Sequence, residues 1–362
     1  MVILHVASLN GNKSAGLTTN VPKNVIFESK YCEVALYNLY NYSFDGVIEK
    51  NKVFLEKDYP NISSLPEPFN KPDIVVFQSF YIPSFIKIYK ELKNKMIPYT
   101  ICPRGALTKN AQKKSKYKKI IGNLLFFNKI VKNAKFIHFL TENEYLESKK
   151  AFKFNDQVII GNGFEIPKKK YTIKSRNKFI ITYIGRFSVF HKGLDFLVGT
   201  VNQKKEWFIT NNVEIHLYGN SVYGGIEYLN EFVEKNNLFN IVKLNGPIYG
   251  DEKEKALLDS DIFIHTSRLE GHPTGVIEAI SYGIPVVVTP GTNMLKEVKE
   301  NKLGFTCEMT CDDIFNAIKM SFESKNKFKD ISKKEIEYAN NNYDWNLIAK
   351  KTVEDYTQKI KE

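Results

Sequence analysis

Short apolar runs separated by polar segments of helical length recur along the whole chain, and this alternation constrains the fold more than any other feature. Many runs are continuously apolar, as in strands covered on both faces of a sheet. They cover residues 2–7, 34–37, 74–79, 99–103, 136–141 and 157–161 in the first half, and 179–185, 213–219, 242–246, 262–266, 284–289 and 304–307 in the second. Strands that alternate with helices form right-handed βαβ units and parallel sheets. Twelve strands are too many for one open doubly wound sheet, so we expect an α/β protein with two sheets of about six strands each.

The domain boundary is visible as a change in composition. Residues 164–178 are polar and basic and include Pro167, which is typical of a linker. We therefore predict an N-terminal domain over 1–163 and a C-terminal domain over 179–340. Apolar residues at helical spacing over 341–362 predict an amphipathic helix that docks on the body of the protein.

Composition excludes several classes of protein. Hydrophobic residues make up 43% of the 362 and charged residues 25%, which excludes disordered and collagen-like chains. No apolar run approaches the ~18–20 residues that a membrane span needs. The N-terminal stretch is typical of a buried strand, not of a signal peptide. Four cysteines are too few for a disulfide framework, so we expect a cytoplasmic location.

The positive charge of the chain is concentrated in one segment. Lys and Arg number 52 against 40 Asp and Glu, a net charge of +12. Residues 92–141 contain twelve basic residues and no acid, so the rest of the chain is neutral. A local basic patch indicates an anionic partner: phosphates, nucleic acid or an anionic membrane surface.

Two carboxylates flank the turn that follows the predicted strand 262–266. Glu270 lies in the loop, and Glu278 lies one turn into a helix that we expect to begin near Thr274. The carboxyl ends of strands are where open α/β sheets bind ligands, and a helix N-terminus binds anions. Carboxylates accept hydrogen bonds from vicinal hydroxyls, so the pair suits a sugar and a ribose. In the alternative interpretation, Glu278 caps its helix and Glu270 pairs with Arg268.

Two cations follow the first strand of the second half. Arg186 comes directly after Gly185, and Lys192 follows six residues later, before a glycine and a helix. Arginine binds a phosphate in a bidentate manner and lysine adds a point charge. We expect both side chains to be partly exposed; the alternative is a solvated loop.

These residues resemble a known family. The segment EGHPTGVIEAISYGIPVV, with its two glutamates, resembles the signature of glycosyltransferase family 4 (group 1), whose members are retaining enzymes with the GT-B fold. The Gly-Arg-Phe…His-Lys-Gly segment is similar to that family's diphosphate-binding loop. The resemblance covers most of the chain and is specific mainly over 179–300. It implies two Rossmann-like doubly wound parallel-sheet domains facing across a cleft, with the final helix crossing back to the N-terminal domain.

The resemblance also implies roles for particular residues. Glu270, Arg186 and Lys192 would be catalytic: the two cations would hold the donor diphosphate and Glu270 the hydroxyls of the donor sugar. Glu278 would bind the ribose. The other donor-binding residues would be Gly16, Gly185, Gly246, Pro247, Ile248, Gly271, His272, Pro273, Thr274 and Gly275.

The implied mechanism needs no metal and no cofactor. Arg186, Lys192 and a helix N-terminus would stabilise the charge that grows on the leaving diphosphate. The family is taken to react by front-face displacement, with the leaving phosphate helping to deprotonate the acceptor. Asp259 and Asp261 form a D-x-D that resembles a metal motif, but they precede a strand where the family usually has a structural acid.

The sequence departs from the family pattern in the N-terminal domain. The glycines after the first strand are separated, and Gly16 is the better candidate for approach to phosphate. Arg104, followed by Gly105, stands where many relatives have a histidine, and we assign both to the acceptor side. His5 and His138 are interpreted as structural.

Residues 109–132 combine lysines with a cluster of apolar residues. Relatives that act on lipid-linked acceptors often carry such a basic amphipathic segment. We therefore expect contact with an anionic membrane surface, and a peripheral location on the inner face of the plasma membrane. The alternative is a core helix with a solvated basic end. No nucleic-acid-binding module is recognisable.

The functional hypothesis is a retaining, metal-independent hexosyl- or N-acetylhexosaminyltransferase that acts in bacterial surface polysaccharide biosynthesis. Its partners would be a nucleotide-sugar donor and a glycan or lipid-linked acceptor. A catalytically silent GT-B partner subunit or acceptor-binding protein is the alternative, although it would be expected to lose Glu270, Arg186 or Lys192. An epimerase of nucleotide sugars would need a pattern of carboxylates and histidines that is not found.

Overall fold

The chain folds into two compact units. The computed structural model describes residues 1–11, 16–113 and 115–362. Unit 1 comprises Met1–Gly163 and Trp345–Glu362, and unit 2 comprises Phe164–Asp344. Residues 164–178, expected to be a linker, belong to unit 2 and contain no helix or strand. They are anchored because Tyr171 is buried and its backbone N–H donates to the carbonyl of Tyr282.

Within the described residues, unit 1 contains a seven-stranded parallel sheet. Its strands are β1 (Val2–Ala7), β2 (Glu33–Asn38), β3 (Val53–Leu55), β4 (Ile74–Gln78), β5 (Tyr99–Cys102), β6 (Phe136–Phe139) and β7 (Gln157–Ile159). They lie side by side in the order β3-β2-β1-β4-β5-β6-β7. The sequence analysis missed β3, because three residues are too few to show a periodicity.

In the described part of the chain, unit 2 contains a six-stranded parallel sheet. Its strands are β8 (Phe179–Ile184), β9 (Val213–Tyr218), β10 (Val242–Asn245), β11 (Ile262–His265), β12 (Val286–Val288) and β13 (Gly304–Thr306). Their order is β10-β9-β8-β11-β12-β13. Two α/β units, each with a parallel sheet, confirm the predicted fold class.

Helices connect and cover the strands. They are α1 (Gly16–Glu28), α2 (Ser84–Lys95), α3 (Lys109–Lys113), α4 (Lys116–Gly122), α5 (Asn128–Lys132), α6 (Glu142–Lys149), α7 (Val189–Lys192), α8 (Leu194–Gln203), α9 (Lys205–Thr210), α10 (Gly225–Lys235), α11 (Gly250–Leu258), α12 (Thr274–Tyr282), α13 (Leu295–Asn301), α14 (Cys311–Glu323), α15 (Phe328–Asn342) and α16 (Trp345–Lys361). No helix in the described ranges has the length and apolar character to cross a membrane.

The last helix, α16, is part of unit 1. Trp345 stacks on Phe27 of α1 with ring centroids 5.8 Å apart. Further along, the Tyr356 hydroxyl lies 2.6 Å from His138 Nδ1, and His138 Nε2 lies 2.8 Å from the carbonyl oxygen of Ile160. A carbonyl only accepts, so Nε2 carries the proton and the tyrosine donates to Nδ1. Burial lowers the pKa of His138 to about 4. His138 is therefore a neutral, structural residue, as predicted.

In each sheet, the second and third strands of the unit lie on one side of its first strand, and all later strands lie on the other side. The strand order thus reverses between β1 and β4 in unit 1 and between β8 and β11 in unit 2. Open α/β sheets bind ligands at such points, beyond the carboxyl ends of the strands. In unit 2, the loops that follow β8 and β11 therefore lie side by side, and these loops carry the predicted cations and glutamates.

Candidate functional site

The loops after β8 and β11 are joined through Thr266. Gly193, between α7 and α8, has a φ of +64°, which favours glycine. A Cβ at this position would collide with the carbonyl oxygen of Thr266. The Thr266 hydroxyl donates to the carbonyl oxygens of Lys192 and Gly193, at 3.2 and 3.1 Å. The close approach fixes the backbone of Lys192 against the loop that carries Glu270.

Lys192 and Glu270 form a buried ion pair. The Lys192 ammonium contacts Oε1 of Glu270, and the two side chains are 10% and 13% exposed. The same oxygen accepts from the Ser267 hydroxyl at 2.7 Å and from His265 Nε2 at 3.1 Å. The structure thus brings two of the predicted catalytic residues into direct contact.

The environment of Glu270 keeps its carboxylate ionised. Burial acts to raise the pKa of Glu270, but the charge of Lys192 and the hydrogen bond from His265 outweigh this effect and hold it well below the usual range. A carboxylate that stays charged in a buried place is a strong acceptor for hydroxyl groups.

Arg268 has a different partner from the one in the alternative interpretation. Its guanidinium makes two hydrogen bonds to the Asp195 carboxylate, at 2.7 and 2.6 Å, and lies over the rings of Phe190 and Phe196. The pairing of Glu270 with Arg268 is therefore wrong, because Arg268 binds α8 instead.

Glu278 lies one turn inside α12, as expected, and forms an ion pair with Lys253 of α11. It does not cap its helix, so that alternative is also wrong. Burial raises the pKa of Glu278, against the opposing effect of Lys253. Lys253 was not identified from the sequence, because the approach of α11 to α12 is a tertiary contact.

The first turn of α12 lies at the ends of β8 and β11. A Cβ on Gly275 would lie 3.2 Å from the Phe263 ring and 3.4 Å from the carbonyl oxygen of Ile184. The backbone N–H groups of this turn are therefore held at the point where the strand order reverses. Pro273 precedes Thr274, the first residue of the helix. His272 is buried, with its ring 5.9 Å from that of Tyr343.

Asn293 also binds the loop between β11 and α12. Its amide donates to the carbonyl oxygen of Glu270 and, at 3.2 Å, to that of Gly271. Asn293 has a φ of +62°, which asparagine adopts more readily than most residues. The sequence analysis did not identify Asn293, since it lies more than twenty positions from Glu270 and Gly271, the two residues that it binds.

The other residues that the sequence analysis assigned to donor binding lie at strand or helix ends. Arg186 follows β8 and is half-buried, and its guanidinium makes no ion pair with any residue in the described ranges. The tripeptide 246–248 follows β10, with Gly246 and Pro247 exposed. Gly16 begins α1 in unit 1, while residues 12–15 of the preceding loop lie outside the described ranges.

The D-x-D residues have structural partners. Asp261 is buried, and its carboxylate accepts from the backbone N–H of Ile180 at 2.7 Å and from Arg176 at 2.8 Å. Arg176 also contacts the carbonyl oxygen of Asp259. Among the described residues, no group of three or more His, Cys, Asp or Glu side chains is placed to hold a metal ion.

Arg104, which the sequence analysis assigned to the acceptor side, belongs to a polar network inside unit 1. Its guanidinium donates to Gln78 Oε1 at 2.8 and 3.0 Å and to Asn162 Oδ1 at 3.0 Å. Gln78 contacts His5, which in turn contacts the fully buried Glu28. His5 is therefore structural, as predicted, and most donors of Arg104 point into the unit.

Gly105 is held by a buried carboxylate. Its backbone N–H donates to Glu144 of α6, and the other oxygen of Glu144 accepts from the N–H of Leu140 at 2.8 Å. Burial raises the pKa of Glu144, although these backbone hydrogen bonds oppose the shift. The turn at 104–105 is thus fixed from below by α6.

The basic segment, residues 109–132, is not a core helix. After α4, a π-helical turn, Asn123–Phe127, continues into α5. Its last large apolar positions, Phe127, Ile130 and Val131, are buried, as is Ala111. Six large apolar side chains are 41–81% exposed: Tyr117, Ile120, Ile121, Leu124, Leu125 and Phe126. The alternative of a core helix with a solvated end is therefore wrong. Lys114, one of the predicted basic positions, lies outside the described residues.

The sequence of unit 2 and the fold of the chain are each similar to those of known proteins. Residues 165–341, just under half of the chain, match the model of the family described as "Glycosyl transferases group 1". Over 99% of its length the chain superposes on sucrose-phosphate synthase from Thermosynechococcus elongatus, with 15% identity, 99% coverage of that chain and a TM-score of 0.75. The structure of HepE from Anabaena in complex with UDP-glucose gives a TM-score of 0.74, with 16% identity and coverage of 99% and 100%. The protein has the GT-B fold, and the sequence of its unit 2 is similar to that of group 1 glycosyltransferases.

Two curated relatives are similar over about half of the chain. The phosphatidylinositol N-acetylglucosaminyltransferase GPI3 subunit of Saccharomyces cerevisiae is 28% identical over 188 residues, which are 51% of this chain and 40% of the relative. Protein CapJ of Staphylococcus aureus is 28% identical over 165 residues, 44% of this chain and 39% of CapJ. The matched part spans less than half the length of either relative.

Proposed function

We propose that the protein is a retaining glycosyltransferase that moves a sugar from a nucleotide-diphosphate sugar to a glycan or lipid-linked acceptor. The observation that carries the proposal is the meeting of Lys192 and Glu270 at the point in unit 2 where the strand order reverses. Lys192 is a cation that can bind phosphate, and the ionised Glu270 can accept hydrogen bonds from hydroxyls. Both lie beside the N-terminus of α12, and together these groups match the diphosphate and the sugar of a nucleotide-diphosphate sugar.

Each donor-side group has a distinct task in this proposal. Lys192, Arg186 and the first turn of α12 bind the diphosphate, and Glu270 binds hydroxyls of the donor sugar. Glu278, near Lys253, binds the ribose. Residues 246–248 after β10, of which Gly246 and Pro247 are exposed, frame the base.

The charges support departure of the nucleoside diphosphate. As the anomeric C–O bond breaks, negative charge develops on the leaving phosphate, and preorganised cations and N–H groups stabilise that charge. The leaving phosphate takes the proton of the acceptor hydroxyl as the new C–O bond forms on the same face. This assigns no separate protein base and no metal ion, and the sugar keeps its anomeric configuration.

The acceptor is proposed to belong to a bacterial surface glycan, and the sugar to be a hexose or an N-acetylhexosamine. The names of the relatives support this class: one is a phosphatidylinositol N-acetylglucosaminyltransferase subunit and another a Cap protein. Among the structural neighbours are a complex with UDP-glucose and the lipopolysaccharide galactosyltransferase WaaB.

The test is a panel of UDP-, GDP- and TDP-sugars with release of nucleoside diphosphate as the readout. We expect release from one donor class, and its abolition when Arg186 and Lys192 are both replaced by alanine. NMR of the product should show the anomeric configuration of the donor. An inverted product would contradict the retaining mechanism, and the absence of release from every donor would contradict the transferase.

The chelator experiment tests metal independence separately. Because Asp261 is bound to Arg176 and to a backbone N–H, we expect EDTA to leave turnover unchanged. Strict dependence on added Mg²⁺ or Mn²⁺ would contradict the metal-free mechanism.

A silent partner subunit is the second candidate, because one relative is named as a subunit of a transferase. Such a protein would bind nucleoside diphosphate without turning over any donor. Calorimetry with UDP and GDP, run beside the release assay, distinguishes the two candidates.

The basic segment supports a membrane-facing role for unit 1. Its six exposed apolar side chains lie among exposed lysines, namely Lys113, Lys116, Lys118, Lys129 and Lys132. With no acid in the segment, the field at this surface is positive. We propose that it binds the anionic inner face of the plasma membrane, with lysines near the headgroups and apolar side chains in the interface.

Vesicle co-sedimentation tests the membrane proposal. The protein should pellet with phosphatidylglycerol vesicles, but not with phosphatidylcholine vesicles, and added salt should release it. Leu124→Ser with Leu125→Ser should weaken binding, as should Lys116→Gln with Lys118→Gln. Phe239→Ser, which removes an exposed apolar side chain from unit 2, is the matched control. Equal binding of all variants would contradict the proposal.

A further inference from the structure

His265 lies beneath the candidate donor site and was not among the predicted site residues. It is the last residue of β11, is 3% exposed, and places Nε2 3.1 Å from Oε1 of Glu270. A carboxylate oxygen only accepts, so Nε2 must carry the proton. Burial lowers the pKa of His265, against the opposing effect of Glu270, which is consistent with a neutral ring.

The other ring nitrogen of His265, Nδ1, gives a histidine at this position an energetic cost. Nδ1 is buried and has no hydrogen-bond partner in the described part of the chain. An unsatisfied acceptor in the interior destabilises the fold, and an apolar ring of similar size would avoid this cost. A structural role in the core would therefore favour phenylalanine. What histidine alone provides here is the Nε2–H group that points at Glu270.

The ring of His265 is held by aromatic neighbours. Tyr183 of β8 stacks on it with centroids 5.6 Å apart and an interplanar angle of 21°, and Phe263 lies 6.1 Å away at 13°. The Tyr183 hydroxyl donates to the carbonyl oxygen of Arg186 at 3.1 Å. One buried stack thus reaches the turn of Arg186 on one side and the carboxylate of Glu270 on the other.

We propose that His265 and Tyr183 are positioning residues of the donor site, which set the orientation of the Glu270 carboxylate and of the Arg186 turn. Neither side chain touches the donor. His265 fixes which oxygen of Glu270 faces Lys192, so that the remaining acceptor capacity of the carboxylate is directed at the sugar. Tyr183 keeps the Arg186 backbone at the end of β8, beside the loop after β11. The inference rests on the proposed function of the same site.

Three variants test the proposal by steady-state transfer kinetics and by calorimetry with nucleoside diphosphate. His265→Phe keeps the stacked ring and removes the donor, and we expect kcat/KM for the sugar donor to fall about tenfold or more. Binding of nucleoside diphosphate should stay within about threefold, because Glu270 acts on the sugar. His265→Gln, whose amide nitrogen reaches toward the Nε2 position, should recover most of the loss. Tyr183→Phe should reduce kcat/KM and also weaken nucleoside diphosphate binding, since Arg186 is displaced.

The controls separate positioning from folding. His216→Phe removes a second histidine–glutamate contact of unit 2, the 2.8 Å contact of His216 with Glu214, and should leave the kinetics unchanged. The thermal midpoint of His265→Phe should stay close to that of the wild type, because loss of the hydrogen bond to Glu270 is offset by removal of the unsatisfied Nδ1.

Two outcomes overturn the inference in distinguishable ways. Unchanged kcat/KM in His265→Phe, or no recovery in a folded His265→Gln, overturns the positioning role while the active wild type supports the transferase. A wild-type protein that neither binds nucleoside diphosphate nor turns over any donor overturns the proposed function, and the inference with it.

Discussion

Arg186 and Lys192 lie six residues apart, but their surroundings differ. Lys192 is buried against Glu270, whereas Arg186 is half-buried. The expectation that both are partly exposed is wrong for lysine, because the close contact at Gly193 draws its backbone under the loop after β11. The two cations should therefore differ in their effect on stability, although both serve the same phosphate group in the proposal.

We predict that replacing either cation by alanine lowers turnover on the order of 10²-fold, since each stabilises the leaving diphosphate. Lys192→Ala should also destabilise unit 2 by about 3 kcal/mol, because Glu270 loses the charge that compensates its burial. Arg186→Ala should leave the thermal midpoint unchanged. Donor turnover and differential scanning calorimetry measure the two effects, and equal midpoints for both variants would contradict the difference.

The two glutamates should divide sugar and ribose between them. Glu278→Gln is expected to weaken nucleoside diphosphate binding about tenfold, because a ribose loses a charged acceptor. Glu270→Gln should leave that binding unchanged and lower transfer instead. Calorimetry with nucleoside diphosphate alone separates the two roles, and the same loss in both variants would count against them.

At this scale the sequence predicts the loop residues but not their partners. Glu270, Lys192 and Glu278 were identified because they stand at strand and helix ends, where local order along the chain determines position. Lys253 and Asn293 were not, since each reaches the site through packing of a distant segment. His265 had a usable signal, namely a polar residue closing an apolar strand just before the loop.

Among the elements, α15 carries a buried carboxyl group without a partner. Glu335 is fully buried, and neither of its carboxyl oxygens has a hydrogen-bond partner in the described ranges. Burial raises its pKa well above 4.5. Between 4.5 and the raised native pKa the unfolded chain holds fewer protons than the native state, so the free energy of unfolding falls as the pH rises.

We therefore predict that Glu335→Leu stabilises the protein at neutral pH by about 1–2 kcal/mol and removes this part of the pH dependence. Thermal unfolding of wild type and variant from pH 4 upwards gives the comparison. Glu337→Leu, at an exposed position of the same helix, is the matched control and should change little. A variant that is less stable than the wild type at neutral pH would refute the prediction.

The basic segment shows the limit of prediction for a whole element. Its sequence predicts a helix with charge and apolar residues together, and both are present. Which apolar residues enter the core depends on where the π-helical turn falls, since one extra residue in a turn rotates all later side chains around the axis. Periodicity could therefore not separate the buried Phe127 from the exposed Phe126.

For the molecule as a whole, alternation of strands and helices was enough to predict two parallel sheets. Continuous apolar strands carry this information because each is covered on both faces. The strand order is a different matter, since it depends on which side of the first strand the chain continues. In both units the chain first adds strands on one side and then crosses to the other.

Unit 1 is assembled from two separate stretches of chain, and this has a consequence for synthesis. Residues 1–163 leave the ribosome first, but the helix that buries Trp345 against Phe27 and Gly163 emerges only after all of unit 2. During translation, unit 2 is therefore the first unit whose residues are all synthesised. Until α16 emerges, the apolar surface of unit 1 that α16 covers stays exposed to solvent. A fragment of residues 164–344 should fold cooperatively when expressed alone, and a fragment of residues 1–163 should aggregate until a peptide of residues 345–362 is supplied. Circular dichroism melts and sedimentation of the fragments would measure this dependence, and a stable, monomeric 1–163 fragment would disprove it.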